Sequence, residues 1–223
     1  MELQDPLQQR VLGLLEELPK GPLLDAGCGK GQLVNAASLL GFTVTASDID
    51  VTEYKGNESF VAADLNKHLP FEDEKFSIVS CVEVIEHIES PWSLIKEFHR
   101  ILKPSGILIL TTPNITNVFS RLKFLITGTF FCFSKAERDV PAGHINPLPH
   151  WEIEHIFEKN GFVVESRTTQ NYFQLSGLDT IASRTKRMGT KLAYFFLFPF
   201  LCPRDNVLLK GDNLVYVCRK ALG

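Results

Sequence analysis

Short apolar stretches that take turns with helical ones constrain this chain more than any other feature. Pro22–Ala26 is a short apolar segment, Phe42–Ala46 and Ser59–Ala63 are β-rich, and Phe76–Val82 and Ile107–Leu110 are apolar on both faces. A strand hidden on both faces needs cover on both, so the alternation predicts a mostly parallel, doubly wound α/β sheet. The intervening helices have their own signals. One runs from the glycines near position 30 to Leu40 and closes at Gly41. Another is capped by Ser90, opens on Pro91, and carries the stripe Leu94, Ile95, Phe98, Ile101 and Leu102. Lys103–Gly106 reads as a turn into the next strand. Leu7, Val11, Leu14, Leu15 and Leu18 predict an N-terminal helix, stopped by Lys20-Gly21-Pro22. A helix at His150–Lys159, a strand from Phe162 and a last strand at Asn213–Cys218 complete the pattern.

In such sheets a ligand lies in the crevice at the carboxyl ends of the strands. Those ends carry Asp25 and Gly27, then Asp48, Asp64 and Glu83, at four successive strands. Gly27-x-Gly29-x-Gly31 lets backbone approach a ligand closely. Asp48 follows at the spacing at which a carboxylate meets ribose hydroxyls, so the pattern predicts a nucleoside-containing ligand. The dinucleotide fingerprint is not matched, because Gln32 stands where its last small residue belongs. Tyr216 and Lys220 have the spacing of a dehydrogenase pair but fall on the terminal strand and read as sheet residues.

Charge narrows the partners. With 23 basic and 26 acidic residues and a net charge of −3, the chain lacks the clustered cations that bind phosphate backbones, which argues against nucleic acid. The longest apolar run, Leu192–Cys202, is broken by Pro199 and is shorter than the roughly 20 residues of a membrane-spanning helix. The N-terminus lacks the basic-then-apolar order of a secretory signal. The five cysteines, Cys28, Cys81, Cys132, Cys202 and Cys218, include no Cys-x-x-Cys pair and read as reduced thiols of a cytoplasmic protein.

Leu23-Leu24-Asp25-Ala26-Gly27-Cys28-Gly29-Lys30-Gly31 resembles motif I of class I S-adenosylmethionine-dependent methyltransferases. Val82–Ile88, Arg100–Gly106 and Thr111–Asn114 resemble the subgroup containing the ubiquinone-biosynthesis O-methyltransferases, except that Ser105 replaces a usual glycine. The resemblance covers about residues 20–115 closely. It implies a Rossmann-like, seven-stranded sheet with an antiparallel last strand. It also implies S-adenosylmethionine as cofactor, with Asp25, Gly27, Cys28, Gly29 and Gly31 around its methionine part. Asp48 would meet the ribose, Asp64 and Leu65 the adenine, Cys81 would lie near the methionine amine, and Ile49 would be a further cofactor-binding residue. Carboxylates and carbonyls suit a ligand carrying an ammonium and a sulfonium, whereas a pyrophosphate favours bare helix N–H groups.

Glu83, Glu86 and His87 come next, at helical spacing. Three readings stand: a solvated polar turn, a general base (Glu86 and His87) with its orienting partner, or a divalent-metal site. His144, in Gly143–His150, is a candidate fourth ligand, as in the small-RNA 3′-end methyltransferases that this element also resembles. His150 reads as flanking a helix, and His68, His99 and His155 as surface or packing residues.

The acceptor side is aromatic. Residues 115–133 have helical spacing at Val118, Phe119, Leu122, Leu125 and Ile126, read as packing or as a lid over an apolar acceptor. Residues 192–202 follow Arg184, Lys186, Arg187 and Lys191, a basic-then-apolar order open to packing or to contact with a membrane surface through 184–202. The expected organisation is one domain over 1–223: an N-terminal helix (1–20), a cofactor-binding core (21–114), a helical, aromatic-rich acceptor-covering insertion (115–149), and a C-terminal helix and strands (150–223). The leading functional expectation is methyl transfer, on oxygen, to a small or lipid-like acceptor. RNA 3′-end methylation and a non-catalytic S-adenosylmethionine-binding subunit are the alternatives.

Overall fold

The computed structural model describes residues 3–140, 143–170 and 211–222. Seven strands, β1 (Pro22–Ala26), β2 (Thr43–Asp48), β3 (Ser59–Ala62), β4 (Phe76–Val82), β5 (Leu102–Pro113), β6 (Phe162–Gln170) and β7 (Asn213–Lys220), form one sheet in the order β3-β2-β1-β4-β5-β7-β6. β3, β2, β1, β4 and β5 pair in parallel, and β7 runs antiparallel to both β5 and β6. The chain winds outward from β1 to β3 and then returns to β4 on the other side of β1. That reversal is the switch point at which open α/β sheets bind ligands.

Alternate residues of the central strands feed two separate cores, as two-sided burial requires. Leu23, Ile78, Ile107 and Ile109 pack with Val11 and Leu15 of α1 (Pro6–Glu16) and with Leu33, Val34 and Ala37 of α2 (Gln32–Leu39). Leu24, Val79, Leu108 and Leu110 pack on the other side with Leu94, Ile95, Phe98 and Ile101 of α3 (Pro91–Ile101). Ile153, Ile156 and Phe157 of α6 (His150–Lys159) join that second core, with α4 (Val118–Thr127) and α5 (Lys135–Arg138) lying between β5 and α6 in the chain. Asp5 caps α1, its Oδ1 accepting from Leu7 N at 2.8 Å, and Ser90 caps α3 ahead of Pro91 as its sequence predicts. Tyr216 is fully buried, and Lys220 donates to the Leu102 carbonyl at 2.8 Å, so both serve the sheet.

Two expectations need correction. Lys103–Gly106 does not precede a strand but lies within β5 as a bulge: Phe76 pairs with Leu102, while Ile78 already pairs with Ile107. The cause is local, since Ser105 takes φ +60°, which kinks the backbone without ending the ladder. In α4 only Val118 and Ser120 are buried, while Leu125 and Ile126 are each 80% exposed, so its stripe does not pack into the sheet core. Residues 184–202, read as a basic-then-apolar segment, lie outside the described residues, as does Cys202. Among the described residues, no helix is long and apolar enough to cross a membrane.

A side chain in the left-handed region costs about 1–2 kcal/mol, partly offset by the chain entropy that a glycine loses on folding. Ser105→Gly should therefore raise unfolding free energy in urea by about 0.5–1 kcal/mol. A destabilised variant would show that the bulge is not strained.

Candidate functional site

The parallel register brings the four strand ends to one edge of the sheet. The chain leaves β1 through Gly27 at φ +78°, and a Cβ there would lie 2.4 Å from Val84. Gly31 begins α2 at φ +76°, and a Cβ there would strike the Tyr54 ring at 2.6 Å. Both positions therefore exclude any side chain. Around Gly29 the position of a Cβ is open, with nothing within 4 Å, so this backbone faces clear space. The turn is tied to β2 in three places: Gly27 N and Cys28 N donate to the Ser47 carbonyl at 2.8 and 3.0 Å, and Gly29 N donates to Asp48 Oδ2 at 2.8 Å. Asp48 thus orders the glycine turn from the neighbouring strand end.

The remaining residues expected to meet a cofactor fall into two sets. Ile49 (70% exposed) and Asp64 stand at the rim. Asp64 accepts from Asn66 N at 3.0 Å and pairs with Lys67 at 3.0 Å, and these contacts hold its carboxyl below the ordinary range. Leu65, Cys28, Cys81 and Asp25 are buried. Burial pushes the Cys28 thiol up to about 12 and holds the Cys81 thiol well above the ordinary thiol range, so neither is a ready nucleophile. The Cys81 side chain belongs to the sheet core. Asp25 accepts from Ser80 Oγ at 2.7 Å, and burial, with Asp48 nearby, raises its pKa to about 6. Cys28, Cys81, Cys132 and Cys218 are all free thiols.

Beyond β4 the structure divides the Glu-x-x-Glu-His element. Glu83 takes φ +54° and precedes a single 3₁₀ turn, Ile85–His87, so the three side chains do not share one helical face. Glu83 N donates to Thr111 Oγ1 at 3.0 Å, and that hydroxyl donates to Glu83 Oε1 at 2.9 Å. Asn213 holds the other carboxylate oxygen. Burial raises the Glu83 pKa to about 7 against these two hydrogen bonds. Glu83 therefore stands apart from the cluster it was expected to join.

Glu86, His87 and His144 do come together, with candidate ligand atoms all within 4.8 Å of one another. The Glu86 carbonyl accepts from Ile145 N at 2.9 Å and Asn146 N at 3.0 Å, which folds the His144 segment back over the turn. Glu86 is fully buried. Its Oε2 accepts from Thr112 at 3.1 Å, and its Oε1 has no hydrogen-bond donor among the described residues but lies 4.0 Å from His87 Nε2. Burial and the nearby Glu83 push its pKa well above the ordinary carboxylate value. The His144 ring stands edge-on to His87 at 4.6 Å, and its buried Nδ1 is also without a partner. Burial and the adjacent His87 lower the His144 pKa.

A cavity of about 340 Å³ opens beside these residues, lined by Glu83, His144, Pro113, Phe131 and Asn213 together with Asp5 and Gln8. Sequence reasoning missed Asn213, Asp5 and Gln8 here. Asn213 lies far along the chain from Glu83, and only the antiparallel pairing of β7 with β5 joins them. Thr111 and Thr112 were legible as a motif, but not as the hydroxyls that hold Glu83 and Glu86.

Comparison with known proteins agrees with this geometry. A family model described as a methyltransferase domain matches residues 2–167. The ubiquinone biosynthesis O-methyltransferase of Histophilus somni is 32% identical over 124 residues, covering 49% of this chain and 50% of that protein. The Xanthomonas campestris enzyme of the same name is 37% identical over 122 residues, covering 50% and 51%. The chain thus spans about half the length of the curated relatives it matches. Among solved structures, a SAM-dependent methyltransferase from Archaeoglobus fulgidus superposes with TM-score 0.64 at 18% identity, covering 96% of this chain and 94% of that one. The [4+2]-cyclase SpnF shares the fold too, at TM-score 0.59 and 17% identity over 96% and 82%, so the fold alone does not fix a reaction. With the match running through most of its length, this chain belongs to the methyltransferase domain family.

Proposed function

We propose that the chain transfers a methyl group from S-adenosylmethionine to a hydroxyl of a small or lipid-like acceptor, within a single domain whose 21–114 core holds the cofactor and whose 115–149 segment lies on the acceptor side. The carrying observation is the glycine turn held by Asp48, with open space at Gly29 and acidic groups along the rim. That donor set fits the cofactor, since Asp48 is placed for ribose hydroxyls, and the carboxylates favour a ligand with two positive centres. When bound, the cofactor supplies a methyl group on a sulfonium. The residues contribute mainly placement, because holding two reactants in line removes much of the entropic barrier. Tight turns at Gly27 and Gly31 fix one reactant, and the cavity beside Glu83 would hold the other.

In this reading, Glu86 and His87 serve the acceptor proton through His144, which alone of the three lines the cavity. The homologues named for ubiquinone biosynthesis favour oxygen as the methylated atom and a lipid-like acceptor. No Lys or Arg lines the cavity among the described residues, which favours a small acceptor over an RNA end. A second reading has its own support. The buried Glu86 Oε1 and His144 Nδ1, neither with a hydrogen-bond partner among the described residues, fit a divalent cation held by Glu86, His87 and His144, and Glu83 is not among its ligands. A bound cation would supply Lewis acidity toward the acceptor oxygen.

The experiment is transfer of labelled methyl from the cofactor into fractionated cell extract. Label in a small-molecule or lipid fraction supports the proposal, label in RNA supports the RNA-end alternative, and no labelled product supports a non-catalytic cofactor-binding subunit. His87→Ala should lower kcat at least about 100-fold, the scale of lost proton transfer, with cofactor affinity changed less than about threefold. A variant with normal kcat contradicts the role given to His87. Exhaustive chelation should abolish activity and a divalent cation restore it if the cluster holds metal, whereas full activity after chelation discards the metal.

A further inference from the structure

The first turn of α1 lies outside the strand–turn–helix unit that carries the glycines, yet it reaches the cavity beside Glu83. Asp5 and Gln8 from that turn, Glu83 from the end of β4 and Asp212 from the approach to β7 share this wall, and among the described residues no Lys or Arg does. Three of its polar groups are carboxyls, and the donors beside them are the Gln8 and Asn213 amides and the His144 ring. Asp5 uses one oxygen to cap α1, and its charge is felt at Glu83. Each Glu83 oxygen has one protein donor, from Thr111 and from Asn213, and keeps a further lone pair. Gln8 Oε1 is buried with no partner among the described residues. With Asp5 and Asp212 as carboxylates and no Lys or Arg among the described lining residues, the wall is richer in acceptors than in donors, beside the apolar Val82, Pro113 and Phe131. An anionic ligand there would face like charges and leave these acceptors unpaired, and both effects cost free energy.

We propose that this cavity selects an uncharged or cationic acceptor that donates hydrogen bonds to it, and that Asp5 and Gln8 of the N-terminal helix set that choice. The proposal rests on the methyltransferase reading, because it names the acceptor class of the same site. It also gives α1 a role in specificity that its sequence, read only as a helix with apolar spacing, does not suggest.

Tyramine and 4-hydroxyphenylacetate test it, since they share a phenol and a two-carbon arm and differ in the sign of the terminal charge. Each is titrated calorimetrically into protein saturated with S-adenosylhomocysteine, with a chelator present so that no cation at Glu86, His87 and His144 alters the balance. Tyramine should bind at least about tenfold more tightly, a difference of one modest charge interaction. Asp5→Asn combined with Gln8→Met should reduce that preference to less than about threefold, while asparagine keeps the helix cap and S-adenosylhomocysteine binding confirms folding. Equal binding, preference for the carboxylate, no binding of either phenol, or full preference in the double variant overturns the proposal. Absence of heat with S-adenosylhomocysteine itself overturns the methyltransferase reading instead.

Discussion

The hydrogen bond from Gly29 N to Asp48 Oδ2 joins the two strand ends on which the rest of the site is built. It exists because β1 and β2 pair in parallel register, Asp25 opposite Ala46 and Ala26 opposite Ser47, so that the glycine turn and Asp48 emerge side by side. The same register along β1 and β4 sets Asp25 opposite Ser80 and leads both chains out at the switch point. A shift of one residue would turn alternate side chains to the opposite core and carry the carboxylates away from the crevice. Apolar burial on both faces fixes that register, since Leu23 and Leu24 belong to different cores.

Below this edge the site is a problem in electrostatics. Asp25, Glu83 and Glu86 are carboxyl groups whose pKa burial raises above the ordinary carboxylate range, while Asp48 and Asp64 remain at the rim. Burying an unpaired charge is costly, and groups so placed respond by shifting their pKa. Each buried carboxyl also has a hydroxyl neighbour: Ser80 for Asp25, Thr111 for Glu83 and Thr112 for Glu86. The arrangement suits a ligand that brings positive charge into the crevice. Perturbed groups gathered at one sheet edge are a common mark of a chemical site.

Much of this was legible in the sequence because it is written in local periodicity. Strands apolar on both faces, Ser90 before Pro91, and glycines after Asp25 each act within a few residues, and the structure follows them. What could not be read depends on long-range pairing or on backbone strain. Asn213 reaches Glu83 only because β7 inserts between β5 and β6. The 3₁₀ turn at Ile85–His87 separates Glu83 from Glu86, where α-helical spacing would have joined them. The bulge at Ser105 keeps β5 continuous through a stretch whose composition reads as a turn. The exposed Leu125 and Ile126 show the converse limit, since helical spacing of apolar residues does not say what, if anything, they pack against.

The central claim is that the crevice between Gly27 and Asp64 is shaped for an adenosyl group joined to a cationic amino-acid arm, with no provision for a pyrophosphate. Isothermal titration of the purified chain with S-adenosylhomocysteine and, separately, with a nicotinamide dinucleotide addresses it directly. The account predicts saturable one-to-one binding of the first and no measurable heat from the second. Clean binding of the dinucleotide, with none of S-adenosylhomocysteine, would contradict it.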